Sequence, residues 1–138
     1  MSIAEGSVPK RILYIEDNPN DQRLVQKVLG SHGYEVMIAG DGTAGLELAK
    51  SGPMDLILVD VQMPGLNGLE TARQLRAIEG CAHTPIVALT AYPEQYQQQL
   101  YIEAGCTDYQ LKQAGIKPLL ALVRRYLGTE EIPQGSIP

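Results

Sequence analysis

The stretch Asp55-Leu-Ile-Leu-Val-Asp60 carries four consecutive apolar residues between two aspartates. A strand with one wet face alternates apolar and polar residues, so this unbroken run signals burial on both faces, as in a central parallel strand covered by helices. Upstream, Arg11-Ile-Leu-Tyr-Ile15 and Glu35-Val-Met-Ile-Ala39 read as two further strands. A helical pattern with Leu24, Val25, Val28 and Leu29 separates them and is ended by Gly30 and Gly33, and Thr43 to Ser51 is a short helix closed by Gly52-Pro53. Downstream, the loop Met63 to Gly68 leads into a helix with Leu69, Ala72, Leu75 and Ile78 at helical spacing. Pro85 to Leu89 is the fourth strand. A Gln-rich helix from Pro93 to Ala104, a fifth strand around Thr107 to Leu111 and a last helix from about Pro118 to Leu127 follow. Strand and helix alternate five times, which implies an α/β doubly wound parallel sheet with right-handed crossovers.

A chain of 138 residues suits one domain, expected over residues 11–127, with residues 1–10 and 128–138 as tails. The net charge of −5 supplies no dense basic face, so direct binding to nucleic acid or to an anionic membrane is not expected. The apolar runs are too short to span a bilayer. Met1 to Lys10 holds no apolar leader segment, and the cytoplasm is the expected location. Cys81 and Cys106 stand apart with no C-x-x-C pair, which suits small buried hydrophobes better than a zinc site. His32 and His83 sit beside loop signals and receive no role.

In open α/β sheets, ligands bind beyond the carboxyl ends of the strands, near the reversal of strand order. Strand one is followed by Glu16 and Asp17, strand three ends on Asp60, strand four is followed by Thr90, and strand five by Lys112. Converging carboxylates repel one another unless a cation joins them or their pKa values rise. An oxygen-only ligand set suits Mg²⁺, and a carboxylate beside such an ion can act as a nucleophile toward phosphorus. Lys112 and Thr90 would then meet the oxygens of the transferred group. Taken singly, each residue also has a plainer reading: Asp17 or Asn20 as a helix cap, Asp60 in an Asx turn, Lys112 as a solvated loop charge.

Four segments together resemble the receiver domain of two-component response regulators: Ile12-Leu-Tyr-Ile-Glu-Asp-Asn18, Leu56-Ile-Leu-Val-Asp-Val-Gln-Met-Pro-Gly-Leu-Asn-Gly-Leu-Glu70, Pro85-Ile-Val-Ala-Leu-Thr-Ala91 and Glu103-Ala-Gly-Cys-Thr-Asp-Tyr109. The resemblance runs from about Arg11 to Leu127. It implies a flavodoxin-like (βα)5 fold with strand order 2-1-3-4-5. It also implies that Asp60 is the phosphoacceptor for a histidine kinase or a phosphorelay phosphotransfer protein, with Mg²⁺ held by Glu16, Asp17, Asp60 and the backbone carbonyl of Gln62. Thr90, Tyr109 and Lys112 are implied as switch residues, and Gln62 and Tyr92 as positions that tune the lifetime of the phosphoaspartate. Such a protein is a signalling domain that catalyses only its own phosphorylation and dephosphorylation. Its output would be a downstream protein partner, and the residues after Leu127 leave either a stand-alone receiver or one cut from a larger protein.

Two features depart from the family pattern. A proline joined by a cis bond usually follows the active-site lysine, whereas Gln113 follows Lys112. A non-proline cis bond costs about 2.5–4 kcal/mol, so a trans bond and a rerouted loop are expected. The later Lys117-Pro118 pair does not replace it, because that register would put Ala114 where the aromatic belongs. The second departure is the fourth helix, where Tyr92, Tyr96 and Tyr101 accompany four glutamines. Two readings stand: a contact surface for a partner or a homodimer, or a solvated helix with one or two tyrosines turned inward.

Other classes fit less well. A haloacid-dehalogenase-like phosphatase also uses an aspartate nucleophile but wants a second carboxylate two residues on, where Gln62 stands. A flavin site would meet the acidic end of strand one, and no phosphate-binding glycine motif occurs. A degenerate receiver, acting as an interaction module without phosphorylation, is the main alternative.

Overall fold

Every residue of strand β3 (Leu56–Asp60) is buried, and the sheet is assembled around it. In the computed structural model, which describes residues 8–61, 67–91 and 98–128, β3 lies between β1 (Arg11–Ile15) and β4 (Ile86–Thr90), with β2 (Glu35–Ala39) and β5 (Asp108–Leu111) at the edges. All pairings are parallel and the order is β2-β1-β3-β4-β5. The order reverses between β1 and β3, so the crevice lies at the carboxyl ends of those two strands.

Alternate residues of the strands feed two core layers. Ile12, Tyr14, Leu56, Leu58, Val87 and Leu89 face helices α1 (Pro19–Ser31) and α5 (Ile116–Leu127), which contribute Val25, Leu29, Leu119, Leu122 and Val123. On the other face, Leu13, Ile15, Ile57, Val59, Ile86 and Ala88 meet α2 (Gly42–Ser51), α3 (Gly68–Arg76) and α4 (Gln98–Glu103). Cys81 and Cys106 are buried in that second layer.

The helices start where short polar side chains can accept from free backbone N–H groups. Asn18, and neither Asp17 nor Asn20, caps α1, its Oδ1 accepting from the N–H groups of Asn20 and Asp21 at 2.8 and 3.1 Å. Asp41 and Asn67 do the same for α2 and α3. Helix α5 begins at Ile116, two residues before the expected start, because Pro118 falls in the first turn, where its missing N–H has no partner to lose. Helix α3 ends at Arg76 and not at Ile78, and a short 3₁₀ turn, Glu79–Cys81, follows. The Arg76 guanidinium holds that region by donating to the carbonyls of Cys81, Ala82, Thr84 and Gly105.

Candidate functional site

Three segments bring acidic residues to the crevice. Asp60 closes β3 and is 3% exposed. Glu16 follows β1, its N–H donating to the carbonyl of Ala39 at 2.9 Å, and its side chain is fully buried. Asp17, next in the chain, is exposed. Glu16, Asp17 and Asp60 each place a carboxylate oxygen within 4.8 Å of the others.

Lys112 enters from the opposite side. It opens a 3₁₀ turn, Lys112–Ala114, directly after β5, and among the described residues there is no cis peptide bond. From this turn Lys112 Nζ reaches Glu16 Oε1 at 2.9 Å and Asp60 Oδ2 at 3.0 Å. It also lies 3.5 Å from Asp21 Oδ2, on the first turn of α1.

Glu16 is held on every side. Its carboxylate accepts from the Tyr14 hydroxyl at 3.0 Å and from the Asn18 N–H at 3.1 Å, besides Lys112. Burial pushes its carboxyl above the ordinary range; Lys112 and the Asn18 N–H pull it down, and the charge of Asp60 pushes it up again. Burial opposes the charge of Lys112, but the hydrogen bonds to Glu16 and Asp60 outweigh it and hold the ammonium above its ordinary pKa. The Tyr14 hydroxyl is raised by burial and by the neighbouring Glu16.

Thr90 closes β4 and is fully buried. The register pairs Asp60 with Leu89, which puts Thr90 one step beyond the partner of Asp60 on the adjacent strand. Tyr109 lies on β5 opposite Ala88, half-buried, its ring stacked on Tyr101 with centroids 4.9 Å apart. The structure therefore gathers Glu16, Asp17, Asp60 and Lys112 into one cluster, with Thr90 at the neighbouring strand end and Tyr109 further off, near the start of β5. Gln62 and Tyr92 lie outside the described residues, as does Tyr96.

Residues beyond those singled out from the sequence also belong here. Tyr14 shares a strand face with Glu16 two residues on, and alternation along β1 is the signal that could have found it. Asp21 stands one helical turn after Asp17, but nothing local shows that it meets a lysine 91 positions later in the chain. Gly68 packs so closely on the end of β3 that an added Cβ would lie 2.7 Å from the carbonyl oxygen of Asp60.

The donor set is oxygen only, and three carboxylates face one ammonium. That excess of negative charge and that chemistry fit a hard divalent cation such as Mg²⁺, with Glu16, Asp17 and Asp60 as its ligands.

The fold and this acidic crevice define an α/β domain with a candidate metal site at its switch point, and comparison with known proteins places it. The family model of the response regulator receiver domain matches residues 12–124. The chain belongs to this family, and with it to two-component signalling. It is 40% identical over 116 residues to the response regulator ArlR of Staphylococcus epidermidis, covering 84% of this chain and 52% of that protein. It is 30% identical over 121 residues to the polar-differentiation response regulator DivK of Brucella anthropi, covering 88% and 98% respectively. Among solved structures it resembles the receiver domain of a sensor histidine kinase from Pseudomonas aeruginosa, crystallised with a magnesium ion coordinated in its active site cleft. The TM-score is 0.79 at 34% identity, over 88% of this chain and 99% of that one. The chain spans about half the length of the ArlR relatives it matches. No helix among the described residues is long and apolar enough to cross a membrane.

Proposed function

We propose that Asp60 accepts a phosphoryl group from the phosphohistidine of a histidine kinase or phosphotransfer protein. The observation that carries this reading is the seat of Asp60: a buried carboxylate with an ammonium 3.0 Å away and two more carboxylates beside it. Glu16, Asp17 and Asp60 would hold Mg²⁺, together with the carbonyl of Gln62. When bound, the ion supplies neutralisation of the phosphoryl oxygens and of the converging carboxylates. The magnesium site named for the Pseudomonas receiver supports that choice.

An Asp60 oxygen attacks phosphorus as the bond from phosphorus to the imidazole nitrogen breaks, and the imidazole leaves with the electron pair. Lys112, already bonded to Asp60, turns its N–H groups to the new phosphoryl oxygens. Thr90 follows with its hydroxyl, and Tyr109 with its ring, which converts a local charge change into a shift of the α4 and β5 surface. Gln62 and Tyr92 tune how fast water removes the phosphoryl group. The output is a protein contact in the cytoplasm, with a phosphotransfer partner, a downstream protein or a second copy of the chain.

Intact-protein mass after incubation with Mg²⁺ and acetyl phosphate tests this. A phosphoryl adduct on the wild type that is missing in Asp60→Asn is the expected result. No adduct on the wild type would leave the degenerate receiver as the better reading.

A further inference from the structure

Three carboxylates share the Lys112 ammonium, and one of them has no part in the scheme above. Asp21 holds Lys112 Nζ at 3.5 Å while its own side chain stays 40% exposed. An ion pair this open contributes little to stability, so its effect lies in the field it sets up. Asp21 and Lys112 both line a cleft of about 340 Å³ between α1 and α5, with Leu24 and Leu111 as partly exposed apolar neighbours. Asp21 thus adds a partly exposed carboxylate beside the buried cluster, in addition to the exposed Asp17.

The local charge count decides what that means. Glu16, Asp17, Asp60 and Asp21 set four negative charges against the one positive charge of Lys112. A divalent cation would leave one negative charge over, and without Asp21 it would leave none. The reactants are phosphoryl donors, which are themselves anions, and they approach well inside the Debye length of about 8–10 Å.

We infer that Asp21 is a donor-selecting residue: by sharing Lys112 and adding a negative charge beside the site, it disfavours small dianionic phosphodonors relative to donors whose leaving group is a neutral or protonated nitrogen. This deepens the proposed function and rests on Asp60 being the phosphoacceptor. With acetyl phosphate, the Asp60 oxygen–phosphorus bond forms as the phosphorus–oxygen bond to acetate breaks, and acetate leaves with the electron pair. With phosphoramidate the phosphorus–nitrogen bond breaks instead, and ammonia leaves with its proton already in place. The first donor brings more negative charge to the site than the second.

The test measures the rate of adduct formation at saturating Mg²⁺ for both donors, at low and high salt. Wild type is compared with Asp21→Asn, with Asp21→Glu, and with Glu79→Gln, which changes the net charge equally from an exposed position in the 3₁₀ turn after α3. Asp21→Asn should raise the acetyl phosphate rate about two- to fivefold at low salt, change the phosphoramidate rate less, and converge on wild type at high salt. Asp21→Glu should restore the wild-type donor ratio, and Glu79→Gln should leave it unchanged. In metal-free protein the Lys112 side-chain nitrogen resonance should move in Asp21→Asn and stay in Glu79→Gln. Equal effects on both donors, an equal effect from Glu79→Gln, or an unmoved Lys112 resonance would overturn the inference while an adduct on wild type upheld the phosphoacceptor reading. No adduct on wild type with either donor would overturn both.

Discussion

Lys112 Nζ stands 3.0 Å from Asp60 Oδ2 although no proline follows it in the chain. The 3₁₀ turn at Lys112–Ala114 delivers the side chain from the end of β5, and Glu16 fixes its far side at 2.9 Å. The rerouted loop expected from Gln113 therefore still aims the lysine into the crevice.

Removing that ammonium should leave Glu16 and Asp60 buried against each other without a counter-charge. In metal-free buffer, Lys112→Met should lose about 2–4 kcal/mol of stability, since stripping one partner from a buried ion pair strands the other. Mg²⁺ should return part of the loss, because an ion that binds only the folded state stabilises it by mass action. Urea melts with and without Mg²⁺ check this. A variant as stable as wild type in both buffers would show that the pair contributes nothing, and unchanged phosphorylation would remove Lys112 from the site.

Gly68 is expected to tolerate no side chain. It opens α3, and a Cβ added there would approach Val61 and the Asp60 carbonyl more closely than real contacts allow. Gly68→Ala should push the helix off the end of β3, costing about 1–3 kcal/mol as overpacking does and slowing adduct formation on Asp60. Parallel denaturation and mass measurements decide the matter; a stable variant with normal phosphorylation would mean that α3 shifts freely without moving Asp60.

The stack between Tyr101 and Tyr109 ties α4 to β5. Tyr101 is 2% exposed, so among the described residues it is an inward-turned tyrosine of the kind that the second reading of the Gln-rich helix anticipates. Tyr101→Leu should cost about 1–3 kcal/mol through lost contact area and lost ring pairing, and it should alter the near-ultraviolet tyrosine dichroism. Tyr101→Phe should keep the ring contact and most of the stability. Equal losses from both substitutions would place the stabilisation in the hydroxyl and not in the stack.

What the sequence made legible follows from how far each signal reaches. The bounds of β1 and β2 are set by local apolar runs and agree with the expected Arg11–Ile15 and Glu35–Ala39. The sheet order is implied by resemblance and is the order observed. The convergence of Glu16, Asp17, Asp60 and Lys112 can be read because strand ends in a parallel sheet share one edge. Asp21 cannot, since which face of α1 meets Lys112 depends on the packing of α1 against α5. The cap of α1 is neither of the residues named in the plainer reading for a related reason: Asp17, Asn18 and Asn20 are all good caps, and Pro19 at the first helical position selects Asn18. For the fourth helix, composition shows the tyrosines without showing that Tyr101 is buried.

Cys106 should make stability fall at alkaline pH. Burial pushes its thiol up to about 11, against a smaller opposite effect from Arg76 and Arg73. The thiol's ordinary value is 9.0, so over the interval from there to about 11 the unfolded chain binds fewer protons than the folded one. Stability must then decline as pH rises through that window, by about 2–3 kcal/mol for this group, and no such contribution exists below it. Urea melts between pH 8 and 11 should show a shallower decline in Cys106→Ala than in wild type, while any loss from the missing sulfur stays constant with pH. Parallel slopes for the two proteins would mean that the buried thiol ionises as easily as a free one. A thiol reagent at neutral pH gives an independent reading: it should modify Cys106 slowly in the folded protein and rapidly in urea.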